Sequence, residues 1–363
     1  MNRITQEQIL KLIEVGIQAP SADNGQPWKF KLLDDGFELL LDKNNMGLFF
    51  DVEQVATLMS CGAVMENVSI LAAALGFTTN VSYFNGSANT QEGPSGFARI
   101  TFVPDGKQQD VEAVSHMLFN RHSDRNLFQF NKAIPDSLMN ELVSTVQSYE
   151  HYHLHIYQTP QDKNAIIRTI TSTDTIRFIH ERIHNDFYQV LRFGDTAQKT
   201  RDGLAAATLG IESFMIPILE ILKPWKLAKL LNYIGLHHVM AFRGTWLPMK
   251  SSSQIVSIVR HGGGDYVESG RVMQRFWLEA NKKGLSVQAL GALPLFLARL
   301  HLLQGEGFTS DQLKTLMSLE ESFAAITPGF SKDSDQLVML FRLGYTKQPA
   351  EKPYRRTMES FLL

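Results

Sequence analysis

One pattern recurs in the chain at a fixed spacing, and it limits the possible folds more than any other feature. Residues 61–67 align with residues 269–275, and every matched position lies 208 residues from its counterpart. The matches include a Val-Met pair in each copy and three pairs of small residues, Gly62 with Gly270, Ala72 with Ala280, and Gly76 with Gly284. In each copy of the pattern, a helix followed by a strand is expected. The pattern therefore predicts two similar α+β units that pack face to face, as the subunits of a homodimer do.

The elements around the first copy of the pattern are consistent with one α+β unit. A Thr5-x-x-Gln8 capping box predicts the start of a helix, and Asp34-Asp35-Gly36 predicts a hairpin turn. The expected elements are a helix over 6–18, strands over 28–33 and 37–41, a helix over 52–75 capped by Asp51, strands over 78–84 and 98–103 joined by a polar loop over 85–96, and a helix over 110–120.

The second copy lies in a similar but longer series of elements. The expected elements are helices over 136–148, 268–283 and 309–325, strands over 153–158, 255–259 and 337–343, and a strand or loop over 287–293. An additional, mostly helical stretch covers about 162–250. We therefore expect a first half at 1–118 and a second half at 119–363, with the helical stretch as an insertion in the second half.

Composition limits the cellular location and the kinds of partner that we expect. The chain has 363 residues, of which 44% are hydrophobic, so it can bury a sizeable core. The net charge is −2 and no long run of Lys and Arg occurs, so we expect no nucleic-acid partner. Cys61 is the only cysteine, which excludes an intrachain disulfide and favours a reducing, cytoplasmic location. A run of about 18 apolar residues is absent, and we expect no membrane span.

Residues 121–128, Arg-His-Ser-Asp-Arg-Asn-Leu-Phe, contain the side chains that a phosphate group needs. Two arginines and a hydroxyl fall within five positions, ahead of a helix that Pro135 opens. Arginine offers a permanent charge and paired donors, and a helix start offers free backbone N–H groups. The alternative is a solvated i,i+4 charge pair, Arg121 with Arg125, at the edge of a loop.

Four motifs, taken together, resemble the nitroreductase superfamily of FMN flavoproteins. They are Ala-Pro-Ser-Ala-Asp-Asn-Gly-Gln-Pro-Trp at 19–28, Arg-x-Ser-x-Arg-x-x-Phe at 121–128, the helix and loop over 270–291, and Leu-Gly-Tyr at 343–345 with Arg-Arg-Thr-Met-Glu at 355–359. The resemblance covers most of the chain except about 162–250. The first two motifs occur in the reverse of the usual order, which is similar to the tandem, two-half Acg-type branch. It implies a nitroreductase-like fold in two half-repeats packed as a pseudo-dimer, with one FMN site between them.

The resemblance also implies a role for particular residues. Arg121 and Ser123 would hold the FMN phosphate, and Arg125 would lie nearer the ribityl chain and the pyrimidine edge. The tail would return Arg355 and Arg356 to the phosphate. The remaining contacts would come from the loop of the first half, with Pro20, Ser21, Asn24 and Gln26, and from the segment along the ring, Gln288, Ala289, Leu290 and Gly291. Ala289 replaces the usual proline of that segment.

The implied activity is oxidation and reduction through the cofactor. NAD(P)H would reduce FMN, and a small electron acceptor such as a nitroaromatic or a quinone would then be reduced, in ping-pong order. No catalytic side chain is needed, because the flavin carries the chemistry and the protein binds and orients it. The chain would act as a monomeric pseudo-dimer or pair again as a homodimer.

Three other interpretations remain open from the sequence. The insertion could be a lid that shuts over the flavin, which would make the protein a store for FMN without turnover. The fold could also be an oligomeric scaffold with a vestigial site. Finally, His180-Glu181-x-x-His184 matches a zinc-hydrolase motif, although only Glu212 and His237 are candidates for a third ligand. The alternating His151, His153 and His155 are interpreted as a solvated strand face, and we expect no metal site.

Overall fold

The expected α+β class is confirmed by a computed structural model, which describes residues 3–46, 48–84, 94–106, 109–348 and 350–363. Two four-stranded antiparallel sheets are each accompanied by helices. The loop predicted over 85–96 lies outside the described residues except for its last three positions.

The first sheet is built from the N-terminal part of the chain, in the strand order β1-β2-β4-β3. The Thr5 capping box is present, and the hairpin turns at the predicted place, with Leu33 paired to Gly36. The elements are α1 (Gln6–Gly16), β1 (Trp28–Leu33), β2 (Gly36–Leu41), α2 (Val55–Ala74), β3 (Phe77–Tyr83), β4 (Ser95–Pro104) and α3 (Val111–Asn120).

The second sheet has the equivalent strand order β5-β8-β10-β9. The insertion contains a separate small sheet of two short parallel strands. In both sheets the third strand in sequence is an edge strand, and the fourth lies between it and the second. The elements before and within the insertion are α4 (Asp136–Gln147), β5 (Tyr152–Ile156), α5 (Pro160–Phe178), α6 (Glu181–Val190), β6 (Leu191–Arg192), α7 (Thr196–Thr200), β7 (Leu204–Ala205), α8 (Met215–Ile221), α9 (Trp225–Asn232), α10 (Leu236–Ala241) and α11 (Leu247–Lys250). Those after it are β8 (Gln254–His261), α12 (Tyr266–Lys282), β9 (Ser286–Leu290), α13 (Ala292–Leu303), α14 (Ser310–Ala325) and β10 (Asp335–Gly344).

Helix α13 was not among the expected elements. The segment 287–293 was predicted as a strand or loop, but the strand ends at Leu290 and a helix begins at Ala292. Pro294 lies in the first turn of this helix, where a backbone N–H has no intrahelical partner to lose. Proline often marks the end of a helix, but Pro294 lies just after the start of one.

Helices α2 and α12 cross where the two repeat glycines lie. A Cβ on Gly62 would overlap the carbonyl oxygen of Val267, and a Cβ on Gly270 would overlap that of Met59. Only glycine lets the two backbones approach so closely. The two contacts are reciprocal, because Val267 and Met59 are themselves separated by 208 positions.

Helix α2 is preceded by a short 3-10 turn at Val52–Gln54. Asp51, the expected cap, accepts hydrogen bonds from the N–H and the hydroxyl of Thr57, three residues after Gln54 (3.0 and 2.6 Å). Among the described helices, this stretch, Val52–Ala74, is the one long and apolar enough to cross a membrane by length and composition, but 89% of its most apolar window is buried inside the protein. It is a core helix by this measure.

The C-terminal tail returns to the first sheet. Phe361 is fully buried with Trp28 and Phe30, and its carbonyl oxygen accepts from the N–H of Phe30 (2.8 Å). The N–H of Leu363 donates in turn to the Phe30 carbonyl (3.0 Å). The tail thereby carries residues 355 and 356 past the loop that follows α1.

Candidate functional site

Arg121 is a buried arginine directly after α3. It is 5% exposed, its guanidinium lies 4.5 Å from the centre of the Trp277 ring, and Nη2 donates to the carbonyl oxygen of Gln18 (3.0 Å). Its buried Nε has no hydrogen-bond partner. Ser123, two residues further on, is half-buried, and no hydrogen bond joins its hydroxyl to a described residue. This corner therefore holds charge and donors that the protein does not use.

Arg355 comes from the tail and meets the same corner. Its guanidinium caps the end of α1, donating to the carbonyl oxygens of Ile17 (3.0 Å), Ala19 (3.2 Å) and Gln18 (3.4 Å) and to Oδ1 of Asn24 (2.6 Å). Arg121 and Arg355 thus share the Gln18 carbonyl as an acceptor. The cationic end of both side chains lies at the negative end of a helix dipole.

Burial makes this arginine pair electrostatically unfavourable as it stands. Burial lowers the pKa of Arg121, and the neighbouring charge of Arg355 lowers it further. Burial also lowers the pKa of Arg355, to about 10. No described carboxylate contributes to either shift. Arg121 is buried and Arg355 is half-buried, and two such like charges without a counter-charge favour the binding of an anion between or beside them.

The loop after α1 has a strained backbone. Asp23, Asn24 and Gln26 have φ values of 48°, 57° and 53°, which is the left-handed region. Ser21 helps to fix this shape, since its Oγ accepts from the N–H of Gln26 (2.9 Å), and the half-buried Pro20 precedes it. Strain of this kind is typical of segments that position a ligand or a lid.

Asn24 and Gln26 use their amides to bind other parts of the protein. The Asn24 Nδ2 donates to the carbonyl oxygens of Gly203 (3.1 Å) and Tyr354 (3.0 Å). The fully buried Gln26 donates from Nε2 to the carbonyl oxygen of Arg201 (2.9 Å) and accepts at Oε1 from the N–H of Arg356 (2.9 Å). The loop therefore connects the insertion to the tail.

Arg356 differs from Arg355 in its surroundings. Its guanidinium donates to the carbonyl oxygens of Gly25 (3.5 Å) and Gln26, lies 3.9 Å from Asp42 and stacks 4.7 Å from the centre of the Phe361 ring. Burial lowers the pKa of Arg356, whereas the Asp42 charge opposes that shift. Its charge is thus already offset by a carboxylate, unlike that of Arg355.

A cavity of about 310 Å³ lies between the loop, the second sheet and the insertion. It brings together Arg125 and the whole predicted ring segment, Gln288, Ala289, Leu290 and Gly291, with Asp23 from the loop. Most of the remaining wall consists of apolar side chains of the insertion, among them Ile170, Phe187, Leu219, Leu236 and Met240. Arg121, Ser123, Arg355 and Arg356 are not among its lining residues.

Several charged residues of the cavity were not among the predicted site residues, namely Asp23, Asp174, Arg177, Asp186 and Arg243. Burial raises the pKa of the Asp23 carboxyl, against the opposing effect of Arg177 and Arg125. Asp23 stands at a position that the motif leaves variable, and Arg177 lies in the insertion, which the resemblance does not cover. Neither had a signal in the sequence.

Arg342 on β10 was also missed, and it forms hydrogen bonds with Gln288 and Pro248, which line the cavity. The side chain is fully buried, and burial lowers its pKa to about 9. It stacks 3.9 Å from the centre of the Phe128 ring and donates to Oε1 of Gln288 (2.5 Å) and to the carbonyl oxygens of Pro248 (3.3 Å), Asp124 (3.2 Å) and Asn126 (2.8 Å). A lone arginine inside an otherwise apolar strand was the available signal.

The histidines of the zinc-like motif make hydrogen bonds within the protein. His180 caps α6, accepting at Nδ1 from the N–H of Ile183 (3.3 Å), and its Nε2 lies 2.8 Å from the carbonyl oxygen of Gly307. Nε2 of His184 lies 3.0 Å from the carbonyl oxygen of Lys223. His180 is outside the helix, so the two rings do not share a helical face. Among the described residues, no group of three or more His, Cys, Asp or Glu could hold a metal ion.

The sequence is similar to curated proteins of Mycobacterium tuberculosis, whereas no family model matches it. A protein named "Putative NAD(P)H nitroreductase acg" is 30% identical over 112 residues, which are 31% of this chain and 34% of that protein. The "Uncharacterized protein MT1398" is 23% identical over 349 residues, 94% of this chain and 46% of that protein. The matches thus span about a third and about half of the length of these relatives.

Solved structures overlap with the chain more loosely. A nitroreductase with bound FMN from Desulfitobacterium hafniense is 11% identical, with a TM-score of 0.37, over 67% of this chain and 94% of that one. An overlap at that score carries no argument about fold or function. The chain is thus similar, over about a third of its length, to a protein named as a putative NAD(P)H nitroreductase. The motifs at 19–28 and 121–128 agree with that similarity.

Proposed function

We propose that the chain binds FMN, with its phosphate at the arginine pair and its ring in the adjoining cavity, and that it is an NAD(P)H-dependent oxidoreductase. The observation that carries the proposal is the pair itself: the buried Arg121 and the half-buried Arg355 share an acceptor and have no described carboxylate nearby. The name of the acg relative, a putative NAD(P)H nitroreductase, supports the same activity.

The two arginines contribute differently to anion binding. Arg355 already directs five hydrogen bonds to neutral oxygens, so it supplies mainly charge. Arg121 makes one hydrogen bond to a carbonyl and has a free Nε, so it retains donors for a phosphate oxygen. The half-buried hydroxyl of Ser123 adds one more donor. Arg356, which is paired with Asp42, would stabilise the loop and not the anion.

The cavity residues orient and shield the ring. FMN, when bound, supplies hydride and electron transfer between a reduced nicotinamide and an acceptor. Arg342 holds the side chain of Gln288, and Arg125 places a positive charge in the cavity that would stabilise negative charge developing there. The apolar wall of the insertion excludes water, which strengthens such electrostatic effects. An electron-poor, flat acceptor such as a nitroaromatic or a quinone fits walls of this kind.

We also propose that the site lies between two duplicated halves, 1–118 and 119–363. Contacts across α2 and α12 are reciprocal, which supports this. Asn67 accepts from Gln274 (2.7 Å) and Glu66 accepts from Arg275 (2.6 Å). The residues 208 positions after Glu66 and Asn67 are Gln274 and Arg275, so each pair is the counterpart of the other. Such exchange is the mark of an isologous, two-fold interface. The equal strand order of the two sheets supports the same origin.

Storage of FMN without turnover is the second candidate. The insertion is hydrogen-bonded to the loop through Asn24 with Gly203 and Gln26 with Arg201, so the cavity is covered. Adding NADPH or NADH without oxygen separates the two functions. Bleaching of the bound flavin identifies an oxidoreductase, whereas retained colour, with dithionite as a reducing control, identifies a store.

Titration of the protein with FMN, followed by flavin fluorescence, tests the proposed site. The wild type should quench the signal at a stoichiometry of one. Arg121→Gln should weaken binding at least about tenfold, because a charge-assisted hydrogen bond contributes ~1.5–3 kcal/mol. Arg99→Gln, which changes an exposed arginine paired with Glu38, is the matched control and should bind normally. Equal affinity of both variants would exclude the phosphate position.

A further inference from the structure

The outer surface of the insertion is strongly apolar. The five most exposed large apolar side chains among the described residues all lie in 214–242: Ile234 (82%), Tyr233 (80%), Phe214 (69%), Ile221 (64%) and Leu230 (62%). Single exposed apolar residues are ordinary, but a concentration in one segment marks a surface that contacts something. We call this set, with its neighbouring lysines, the outer lid face.

Helical spacing separates this face from the wall of the cavity. Leu219 on α8 and Leu222 directly after it are buried, whereas Ile218 and Ile221 are exposed. On α9, Ala228 is buried and lines the cavity. The exposed residues of α9 recur at i, i+3, i+4 and i+7, namely Lys226, Lys229, Leu230 and Tyr233. The helices therefore present one face to the cavity and an amphipathic face outwards.

The charge on the outer lid face is positive. Lys223, Lys226 and Lys229 are exposed, and none of them forms an ion pair with a described carboxylate. Glu220 is the only acidic residue between 214 and 242 in the sequence. Lysines interleaved with Ile, Leu and Tyr are the composition of helices that lie in the interface of an anionic membrane.

We propose that the outer lid face docks on the surface of an anionic lipid bilayer. The apolar side chains would enter the boundary between headgroups and acyl chains, and the three lysines would meet the lipid phosphates. A second copy of the chain is a poorer occupant. An isologous contact through this face would set the lysines of one copy against those of the other.

The docked surface is continuous with the cavity. Val239 is 59% exposed beside the apolar residues and also lines the cavity wall. A bilayer on this face would therefore lie next to one side of the cavity. Docking itself needs no flavin, so a test of membrane binding does not depend on whether the protein binds FMN or is an oxidoreductase.

Co-sedimentation with vesicles tests the inference on the full chain. We expect the protein to pellet with vesicles of phosphatidylcholine containing phosphatidylglycerol, and much less with phosphatidylcholine alone. Tyr233→Ser with Ile234→Ser should weaken partitioning at least about tenfold, because two large apolar side chains leave the lipid. Lys226→Glu with Lys229→Glu should weaken binding to the anionic vesicles by a similar factor.

A control variant changes an apolar residue and a lysine on α14. Met317→Ser with Lys314→Glu alters an exposed apolar residue and an exposed lysine far from the insertion in sequence, and it should leave vesicle binding unchanged. Circular dichroism verifies that each variant folds. Absence of wild-type binding to anionic vesicles, or equal binding by all variants, would overturn the inference. Light scattering that shows a dimer lost on Tyr233→Ser with Ile234→Ser, without vesicle binding, would assign the face to a second copy instead.

Discussion

Arg342 is a fully buried charge whose guanidinium makes four hydrogen bonds to other parts of the protein. The four acceptors include the Gln288 side chain and the backbone carbonyls of Asp124 and Asn126. We predict that Arg342→Met lowers the free energy of unfolding by roughly 2–4 kcal/mol, because buried acceptors lose their donors. Urea denaturation measures this loss. Arg99→Met, at an exposed arginine, should cost under about 1 kcal/mol, and a similar loss in both variants would contradict the prediction.

His301 gives the stability a defined dependence on pH. Its Nε2 lies 2.5 Å from a carboxylate oxygen of Glu320, and this hydrogen bond raises the pKa of His301 above 6.5. A raised pKa in the folded state means that the protonated form stabilises the fold. The contribution is fully present below about pH 6.5, the unfolded value, and is lost as the pH rises through the folded value. His301→Gln should therefore destabilise the protein more at pH 6 than at pH 9 in urea titrations. An equal effect at both values would refute this coupling.

Residue chemistry was only partly predictable from the sequence. The segment 121–128 indicated a phosphate site from its arginines and hydroxyl, and the structure shows why Arg121 retains unused donors there. Asp23 could not be assigned, because its importance comes from what surrounds it in three dimensions, and the lone arginine of β10, Arg342, was a signal that the sequence analysis did not use. Arg356 resembles Arg355 in sequence but differs in charge balance, and only the position of Asp42 distinguishes them.

At the scale of elements, the crossing of α2 and α12 is the tightest constraint. We predict that Gly62→Ala lowers the free energy of unfolding by about 1–3 kcal/mol, because the added methyl group would overlap the Val267 carbonyl and push the helices apart. Thermal or urea denaturation measures the effect. Gly244→Ala is the matched control, since a Cβ there meets no atom within 4 Å and its φ is not positive. Equal stability of the two variants would show that the helices tolerate separation.

Element prediction succeeded where local signals and burial agreed. The capping box at Thr5, the hairpin turn at Gly36 and the two repeat helices were all found within a few residues of their bounds. Helix α13 was missed because Pro294 masks its first turn. The insertion was predicted as helical without internal bounds, since several short helices joined by turns give no long periodic signal.

At the scale of the whole molecule, one buried side chain joins three distant parts of the chain. Gln26 contacts the insertion at Arg201 and the tail at Arg356. We predict that Gln26→Leu loosens the insertion and increases hydrogen exchange over 196–210, with little change in the sheets. Faster association of FMN should accompany it if the insertion acts as a lid. Gln336→Leu, a half-buried glutamine on β10, is the control, and equal exchange in both variants would contradict a tie at Gln26.

In the account proposed above, a flavin phosphate neutralises the pair Arg121 and Arg355 at the seam of two similar halves. A crystal structure of the protein grown with FMN tests it most directly. We predict electron density for one FMN per chain, with a phosphate oxygen within hydrogen-bond distance of the Arg121 guanidinium and the ring along Gln288–Gly291. FMN bound with its phosphate elsewhere, or a site without flavin at saturating FMN, would contradict the account.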